Sequence, residues 1–400
     1  MYHLTKDELL KDLHRAYYDA RRHKRNKWYQ LKFEENYEAY LEELCEELWS
    51  GDYEPRPSSC FIIRDPKHRE VFAADFRDRI VHHLYYNYVH EMLERTFIQD
   101  SYSCIRGRGT HYGIHRLENH IRKESQNYKE PCYVMKLDIR GYFMHIDRQK
   151  LLEITCRSIR RMAEHRIAKG TNERWKDRID VDFVLYLTRI TVLLNPLDGC
   201  RIIGSRSDWD GLPKDKSLFC SEKGKGLPIG NLTSQLFSNV YMNEFDQYMK
   251  RSLRCRHYGR YVDDAYVVSA DKDWLKTLVP KVRDFLKSEL KLTLHEGKLR
   301  FTDVRYGVEF LGAYLKPHRN YISNITLRRM RRKIRKLGAD GLEFGDIGIA
   351  KQKLFSSLNS FLGVLGHYRT YNIKCQLFLS EPYFTKRGFF TPWLKTYRLL

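Results

Sequence analysis

Residues 258–268 read YGRYVDDAYVV, so that two short apolar runs flank the adjacent acids Asp263 and Asp264. Short runs rich in valine and tyrosine favour buried β-strands, and the segment predicts two strands joined by an acidic turn. Aspartate is depleted in strands, and two adjacent buried carboxylates are unfavourable unless a cation compensates them. Two interpretations stay open for these residues: a hairpin turn with solvated acids, and part of a metal site.

A third acid lies near the end of another apolar run. Residues 133–139 read YVMKLDI, a run too short for a helix, and they predict a buried strand that leads into Asp138. Acids at the ends of buried strands can hold two Mg²⁺ ions about 3.5–4 Å apart, which activate an attacking 3′-hydroxyl and steady a leaving pyrophosphate. The alternative for Asp138 is a helix N-cap or a salt-bridged strand end.

The charge of the chain favours a polyanionic partner. The chain has 72 Lys and Arg against 51 Asp and Glu, a formal net charge of +21. Each of the basic runs at 21–27, 157–178 and 328–336 alone is typical of a solvated face; together with an aromatic share of 14% they predict a nucleic-acid track. In the last run, a stripe at helical spacing predicts the core-facing side of a helix: Leu327, Met330, Ile334 and Leu337.

Composition also excludes several classes of protein. The hydrophobic fraction of 42% is enough for a folded core, and there is no run of about 18 apolar residues that would span a membrane. The first residues lack the layout of a signal peptide. The 9 cysteines are scattered without CxxC spacing, which disfavours a zinc site and a disulfide framework. We therefore expect a cytoplasmic protein.

Local patterns predict the order of the elements. Residues 196–225 are rich in Gly, Pro and Ser and predict a loop or a small hairpin, and the chain after about 325 is predicted to be mostly helical. Helical patterns cover 1–50, 80–97, 151–195, 232–253 and 274–292, whereas strands are predicted at 60–63 and 71–74 and a strand pair at 304–315.

Taken together, the motifs resemble those of the reverse transcriptase family, in the family's order and over roughly residues 48–370. The segments similar to its catalytic, pocket and primer-grip motifs are DIRGYF at 138–143, GLPIGNLTSQ at 226–235, YVDD at 261–264, LHEGK at 294–298 and VEFLG at 308–312. Two segments resemble its fingers: PKHREV at 66–71 and FRDRIV at 76–81.

The resemblance implies an α+β fold with the right-hand arrangement of a polymerase. Its parts would be an N-terminal helical extension at 1–50, fingers at 51–132, a palm with an antiparallel sheet at 133–320, a basic helical and loop insertion at about 151–225, and a thumb with a C-terminal helical segment at 321–400.

The resemblance also implies roles for the acids. Asp138 and Asp263 would hold both Mg²⁺ ions, Asp264 would be a supporting acid, and the carbonyl of Ile139 would supply another oxygen. Substrates would be dNTPs, and the nucleic-acid partners would be a template RNA and the RNA–cDNA duplex.

Other residues would bind the incoming nucleotide. Lys67 and Arg69 would contact its triphosphate, because fixed positive charge suits that ligand, and Lys298 would lie near the leaving pyrophosphate and could protonate it. Phe143 would exclude a 2′-hydroxyl and so select deoxynucleotides. The alternatives are solvated charges for the three cations and a core position for Phe143.

Two glycines and the last basic run would contact nucleotide and nucleic acid. Gly226 and Gly230 would let the backbone approach the nucleotide and the template, where a Cβ would collide. A thumb helix would follow the duplex backbone without reading its sequence, through Arg328, Arg329, Arg331, Arg332 and Lys333.

The pocket motif departs from the family's common pattern at two positions. Ile229 stands where many relatives have glutamine, and Gln235, expected to contact the nucleotide, stands where they have proline. This variant is similar to reverse transcriptases of bacterial and phage diversity-generating retroelements, which copy RNA with errors at adenines and work with a small basic accessory protein. Since isoleucine cannot hydrogen-bond the nucleotide's sugar, discrimination weakens. A cytoplasmic location in a bacterial or phage-infected cell follows.

Two further alternatives stay open. One is a group II intron-like or phage-defence reverse transcriptase, and the other is a non-catalytic RNA-binding protein on a polymerase fold. The retention of Asp138, Asp263 and Asp264 disfavours the second, because an idle site has no use for three costly acids.

Overall fold

The structure is a computed structural model that describes residues 2–22, 27–65, 67–343, 348–380 and 382–400. Two parts of the predicted motifs lie outside these ranges: residues 23–26 of the first basic run, and Pro66 of the first finger segment. Within them, no helix has both the length and the apolar character needed to cross a bilayer.

The first part of the chain is mostly helical. Its elements are α1 (Lys6–Arg21), α2 (Trp28–Glu34), α3 (Tyr37–Ser50), β1 (Ser59–Ile63), β2 (Arg69–Ala73), α4 (Phe76–Glu94), α5 (Thr110–Glu124), β3 (Tyr133–Leu137), α6 (Tyr142–His145), α7 (Arg148–Ala163) and α8 (Val181–Leu193).

The second part alternates helices with short strands. Its elements are β4 (Arg201–Ile202), α9 (Leu232–Gln247), β5 (His257–Tyr261), β6 (Asp264–Ser269), α10 (Lys272–Leu290), β7 (Arg300–Asp303), β8 (Val308–Phe310), β9 (Ala313–Lys316), β10 (Arg319–Ile322), α11 (Asn324–Glu343), α12 (Gly348–Gly366), α13 (Tyr371–Lys374), α14 (Pro382–Arg387), β11 (Gly388–Phe390) and β12 (Tyr397–Leu399). The predicted α+β class is confirmed.

The chain divides into two compact units. The first comprises residues 1–113, 135–267 and 273–300, and the second comprises 114–134, 268–272 and 301–400. In the first unit, α4 packs against α1, α7, α8 and α9, with Ile80, Leu84 and Val89 almost fully buried. The strands β5, β6 and β3 are neighbours in that order, so β6 is central among them.

The segment at 196–225 is not the small hairpin that its turn-rich sequence allowed. Its strand β4 pairs in parallel with β1, and short 3-10 turns follow it. The carboxylate of Glu70 in β2 is fully buried and accepts hydrogen bonds from Trp209 Nε1 at 2.7 Å, Ser217 Oγ at 2.7 Å and the Leu218 amide at 2.6 Å. Because a buried carboxylate needs such donors, Glu70 fixes the segment against β2.

In the second unit, β8, β9 and β10 form an antiparallel sheet, and the helices α11 and α12 share an apolar core. The predicted core-facing stripe of α11 is confirmed: Leu327, Met330 and Ile334 are buried, and Leu337 packs against the same core. The predicted C-terminal helical segment also contains an antiparallel hairpin of β11 and β12.

Candidate active site

The acidic turn is a strained connection between two buried strands. β5 ends at Tyr261 and β6 begins at Asp264, so Val262 and Asp263 form the turn. Val262 has a φ of +58°, in the left-handed region, where a β-branched residue costs about 1–3 kcal/mol. A strain of this kind persists only when surrounding contacts fix the turn.

Asp138 lies beside this turn because of the strand order. β3 ends one residue before Asp138 and is the neighbour of β6. Lys136 in β3 lies 3.6 Å from Asp264, which places the two strands' acids at one edge of the sheet. The carbonyl of Asp138 accepts a hydrogen bond from the His295 amide at 2.8 Å, and Ile139 is buried in an antiparallel bridge with Leu294.

The three carboxylates influence one another electrostatically. Burial, and after it the negative charge of Asp138, raise the pKa of Asp263 to about 6. Burial also raises the pKa of Asp264; Lys136 opposes that rise, and Asp138 adds to it. Desolvation and like charge are the two causes that disfavour an ionised carboxylate.

Two lysines offset part of this negative charge. Lys298 Nζ donates to Asp138 Oδ1 at 2.8 Å, and Lys136 pairs with Asp264. Lys298 therefore lies at the predicted site, but its partner in the structure is a carboxylate. More than half of its side chain is exposed, so it is able to turn toward a ligand.

Within the described residues, no three or more His, Cys, Asp or Glu side chains form a ready-made metal-binding group. Mg²⁺ takes only a few of its oxygens from protein in phosphate-transferring sites, and keeps water and phosphate as the others. The donor set of Asp138, Asp263 and Asp264 fits such a cation, because all three are hard oxygen ligands and the pKa values of the latter two are raised by burial and like charge, which a cation relieves.

A fully buried ion pair lies under the turn. Arg260 and Asp246 both have 0% side-chain exposure, and the Arg260 guanidinium donates to Asp246 Oδ1 at 2.7 Å and Oδ2 at 2.6 Å. Tyr258 OH donates to the same carboxylate at 2.6 Å. Burial alone would lower the pKa of Arg260, yet the charge of Asp246 raises it above the ordinary value.

Another donor of this guanidinium holds the strained turn. Arg260 Nη1 donates to the carbonyl of Val262 at 2.7 Å, which fixes the residue with positive φ. This role of Arg260 and Asp246 was not predicted from the sequence. The available signal was a cation inside the otherwise apolar strand β5 and an acid on the buried side of α9, four residues after Met242.

The predicted pocket residues lie around a small apolar cluster. Phe143 and Ile229 are half-buried and pack against the cluster formed by Cys60, Phe72, Met144 and Leu218. The Leu227 amide donates to the carbonyl of Phe143 at 2.8 Å, and the Phe72 amide donates to that of Ile229 at 2.9 Å. The side chain of Phe143 is thus partly exposed and packs on one side against the apolar cluster.

Both glycines of the pocket motif have backbone conformations that favour glycine, with φ of +91° at Gly226 and +127° at Gly230. A Cβ at Gly226 would collide with the side chain of Leu218, and one at Gly230 would lie 2.8 Å from the carbonyl oxygen of Phe72. The close approaches in the structure are therefore to protein atoms; approach to nucleotide or template stays a prediction.

The other predicted residues are placed at the surface. Lys67 and Arg69 are exposed at the connection between β1 and β2, and Gln235 is exposed in the first turn of α9. In the second unit, the predicted thumb residues lie on α11: Arg328, Arg331 and Arg332 are exposed, and Arg329 and Lys333 are half-buried. The structure brings Asp138, Asp263, Asp264 and Lys298 together in the first unit, and their assigned roles stay predictions.

Asp263→Asn keeps the side-chain shape and removes the charge. The pKa of Asp263 is raised from 3.8 to about 6 in the folded chain, so ionisation of this carboxyl destabilises the folded state above about pH 6. The destabilisation decreases as the pH falls from about 6 towards 3.8, the pKa in the unfolded chain. Without divalent cations we expect the variant to be more stable by roughly 1–2 kcal/mol at neutral pH. The gain should shrink as pH falls through about 6. Thermal unfolding measures both, with the exposed Asp284→Asn as control; a gain independent of pH would contradict this interpretation.

Arg260→Lys keeps the positive charge and removes the guanidinium, whose N–H groups bind both the Asp246 carboxylate and the Val262 carbonyl. Loss of buried hydrogen bonds should lower the free energy of unfolding by about 2 kcal/mol and accelerate amide hydrogen exchange at residues 262–265. Tyr258→Phe is the matched control, since it removes a bond to Asp246 and leaves the Val262 carbonyl bonded. Unchanged exchange at the turn in Arg260→Lys would refute the positioning role.

Residues 212–315 match the family described as reverse transcriptase (RNA-dependent DNA polymerase), a range that contains the acidic turn and the pocket motif, with Asp138 preceding it. The chain is 25% identical over 306 residues to Protein YkfC of Escherichia coli (strain K12), covering 68% of this chain and 70% of that protein.

Solved structures of telomerase are also similar over part of their length. The apo telomerase of Candida tropicalis aligns with a TM-score of 0.48 at 9% identity, covering 81% of this chain and 59% of that one. Telomerase from Candida albicans in complex with a telomeric RNA fragment aligns with a TM-score of 0.43 at 11% identity, covering 86% and 61%. The chain thus spans less than two thirds of each. Residues 212–315 thus match the reverse transcriptase family, the RNA-dependent DNA polymerases.

Proposed function

We propose that the protein copies a template RNA into cDNA from dNTPs with two Mg²⁺ ions, and that its errors concentrate at template adenines in the service of a diversity-generating retroelement. The observation that carries the catalytic part is the placement of Asp138 beside Asp263 and Asp264, with the pKa of Asp263 raised by burial and by the charge of Asp138. Buried carboxylates that repel one another are stabilised by a divalent cation. Reverse transcriptase domains in general use such cations.

Asp138 and Asp263 would hold the metal ions, with Asp264 in support and the Ile139 carbonyl as a further oxygen. When bound, the ions supply Lewis-acid stabilisation of the attacking and leaving oxygens. Side chains of the protein would donate the proton and bind the triphosphate. Lys298, now hydrogen-bonded to Asp138, would release that carboxylate and give a proton to the leaving pyrophosphate. Lys67 and Arg69 would bind the triphosphate.

Selection of the nucleotide would depend on the apolar cluster next to the pocket motif. Phe143, which packs against the same apolar cluster as Ile229, would exclude the 2′-hydroxyl. Ile229 offers no hydrogen bond to the sugar, and Gln235 is exposed in place of the common proline; both features loosen polar discrimination. A small basic accessory protein, together with the RNA–cDNA duplex, completes the proposed set of partners, and the exposed arginines of α11 would follow the duplex backbone.

Primer extension on an RNA template with dNTPs and Mg²⁺ tests the catalytic proposal. The native protein should incorporate nucleotides, and Asp263→Ala should lower the rate by about 10³-fold or more while RNA binding, measured by filter retention, stays the same. Asp284→Ala, which removes an exposed acid from α10, is the control and should keep full activity. RNA binding without incorporation by the native protein would favour a non-catalytic RNA-binding protein instead.

Sequencing of the cDNA made on a defined RNA tests the finer proposal. Errors at template adenines should exceed those at the other bases, and Ile229→Gln should reduce the adenine errors because it restores a polar group to the pocket. Ile203→Gln, at an exposed isoleucine of the insertion, is the matched control. Errors spread evenly over the four bases would instead favour a group II intron-like or phage-defence reverse transcriptase.

A further inference from the structure

The second unit contains a groove that is lined mostly by residues outside the predicted motifs. Its volume is about 1080 Å³, and it lies among the β9–β10 hairpin, the first turn of α11, residues 368–374 and Trp393. Residues 371–374 and Trp393 lie beyond the part of the chain, roughly residues 48–370, that resembles the reverse transcriptase family. The groove is therefore a candidate binding site of its own.

Aromatic rings with unusually high exposure line this groove. The exposed fractions are 71% for Trp393, 51% for Tyr371 and 39% for Tyr321. The ring of Tyr371 meets that of Trp393 edge-on, with centroids 5.8 Å apart and an interplanar angle of 61°. Large rings exposed together in a concave surface mark a binding site more often than rings exposed singly do.

The backbone holds Trp393 in this exposed position. Trp393 and Leu394 have φ of +62° and +51°, which costs free energy for residues other than glycine. The buried Lys374 donates through Nζ to the carbonyl of Leu394 at 3.1 Å, and the Leu394 side chain is buried in the core of the unit. The strained turn thus buries Leu394 and directs the tryptophan outward.

The charge around the rings is positive. Lys316, Arg319 and Arg369 are exposed at the groove, and Glu309 is the single acid among the described residues that line it. The Arg319 guanidinium lies 4.8 Å from the centroid of the Tyr321 ring. A ring paired with a cation in this way offers a flat face next to a phosphate-binding group.

We propose that this groove binds an unpaired segment of nucleic acid, with bases stacked on Trp393, Tyr371 and Tyr321 and phosphates near Lys316, Arg319 and Arg369. Stacking on exposed rings needs free base faces, which a duplex hides, so the ligand is single-stranded. A basic partner protein is disfavoured by the positive charge of the groove. The site goes beyond polymerisation, because binding here uses none of the three carboxylates.

Fluorescence anisotropy with a short labelled single-stranded RNA tests this site. Base stacking is worth about 1–3 kcal/mol per ring, so Trp393→Ala should raise Kd about 5–150-fold, and Trp393→Phe should restore most of the affinity. Trp49→Ala, which removes an exposed tryptophan from α3, is the matched control and should bind as the native chain does. Arg319→Gln should reduce the slope of log Kd against log salt by about one.

Photo-crosslinking of 4-thiouridine RNA to the native protein gives a second measurement that needs no variant. Cross-links should map to the peptides that contain Tyr371 and Trp393, and they should persist in Asp263→Ala, so that failure of catalysis and failure of this site are distinguishable. Loss of affinity in Trp393→Ala that is no greater than in Trp49→Ala, or that is equal for a blunt duplex, would overturn the proposal. Cross-links absent from both peptides would overturn it as well.

Discussion

Like charges gathered at one edge of a buried sheet are the constraint on which the rest of the first unit depends. Asp138 raises the pKa of Asp263 and Asp264, so the fold must hold mutually repelling carboxylates together. Lys136 and Lys298 offset part of this repulsion by pairing with Asp264 and Asp138, respectively. The buried Arg260–Asp246 pair fixes the backbone of the turn at Val262.

The structural features that could be predicted from the sequence are those that depend on residues close together in the chain. The apolar runs around Asp263 and before Asp138 predicted the strands and the turn, and the helical spacing of Leu327, Met330 and Ile334 predicted the buried side of α11. The α+β class and the resemblance to reverse transcriptases followed from the same short motifs. Each of these signals is local, because side-chain periodicity reports which face of one element is buried.

The parts that sequence did not predict depend on partners far apart in the chain. Arg260 and Asp246 are each typical surface residues by composition, and only the packing of α9 on β5 makes them a buried pair. Likewise, the turn-rich composition of 196–225 did not indicate that Glu70, over 130 residues earlier, anchors Trp209, Ser217 and Leu218. The exposure of Trp393 depends on Lys374 and the burial of Leu394, which no periodicity reports.

The three donors to Glu70 all come from one short stretch, residues 209–218. Leu218 from that stretch also belongs to the apolar cluster against which Phe143 packs, and it lies against Gly226. Strand β2, residues 209–218 and the apolar cluster around Phe143 are thus joined through a single carboxylate. Any exchange of residues 209–218 would have to keep Glu70 as well, because without it Leu218 would lose the hydrogen bond that fixes its place in the cluster.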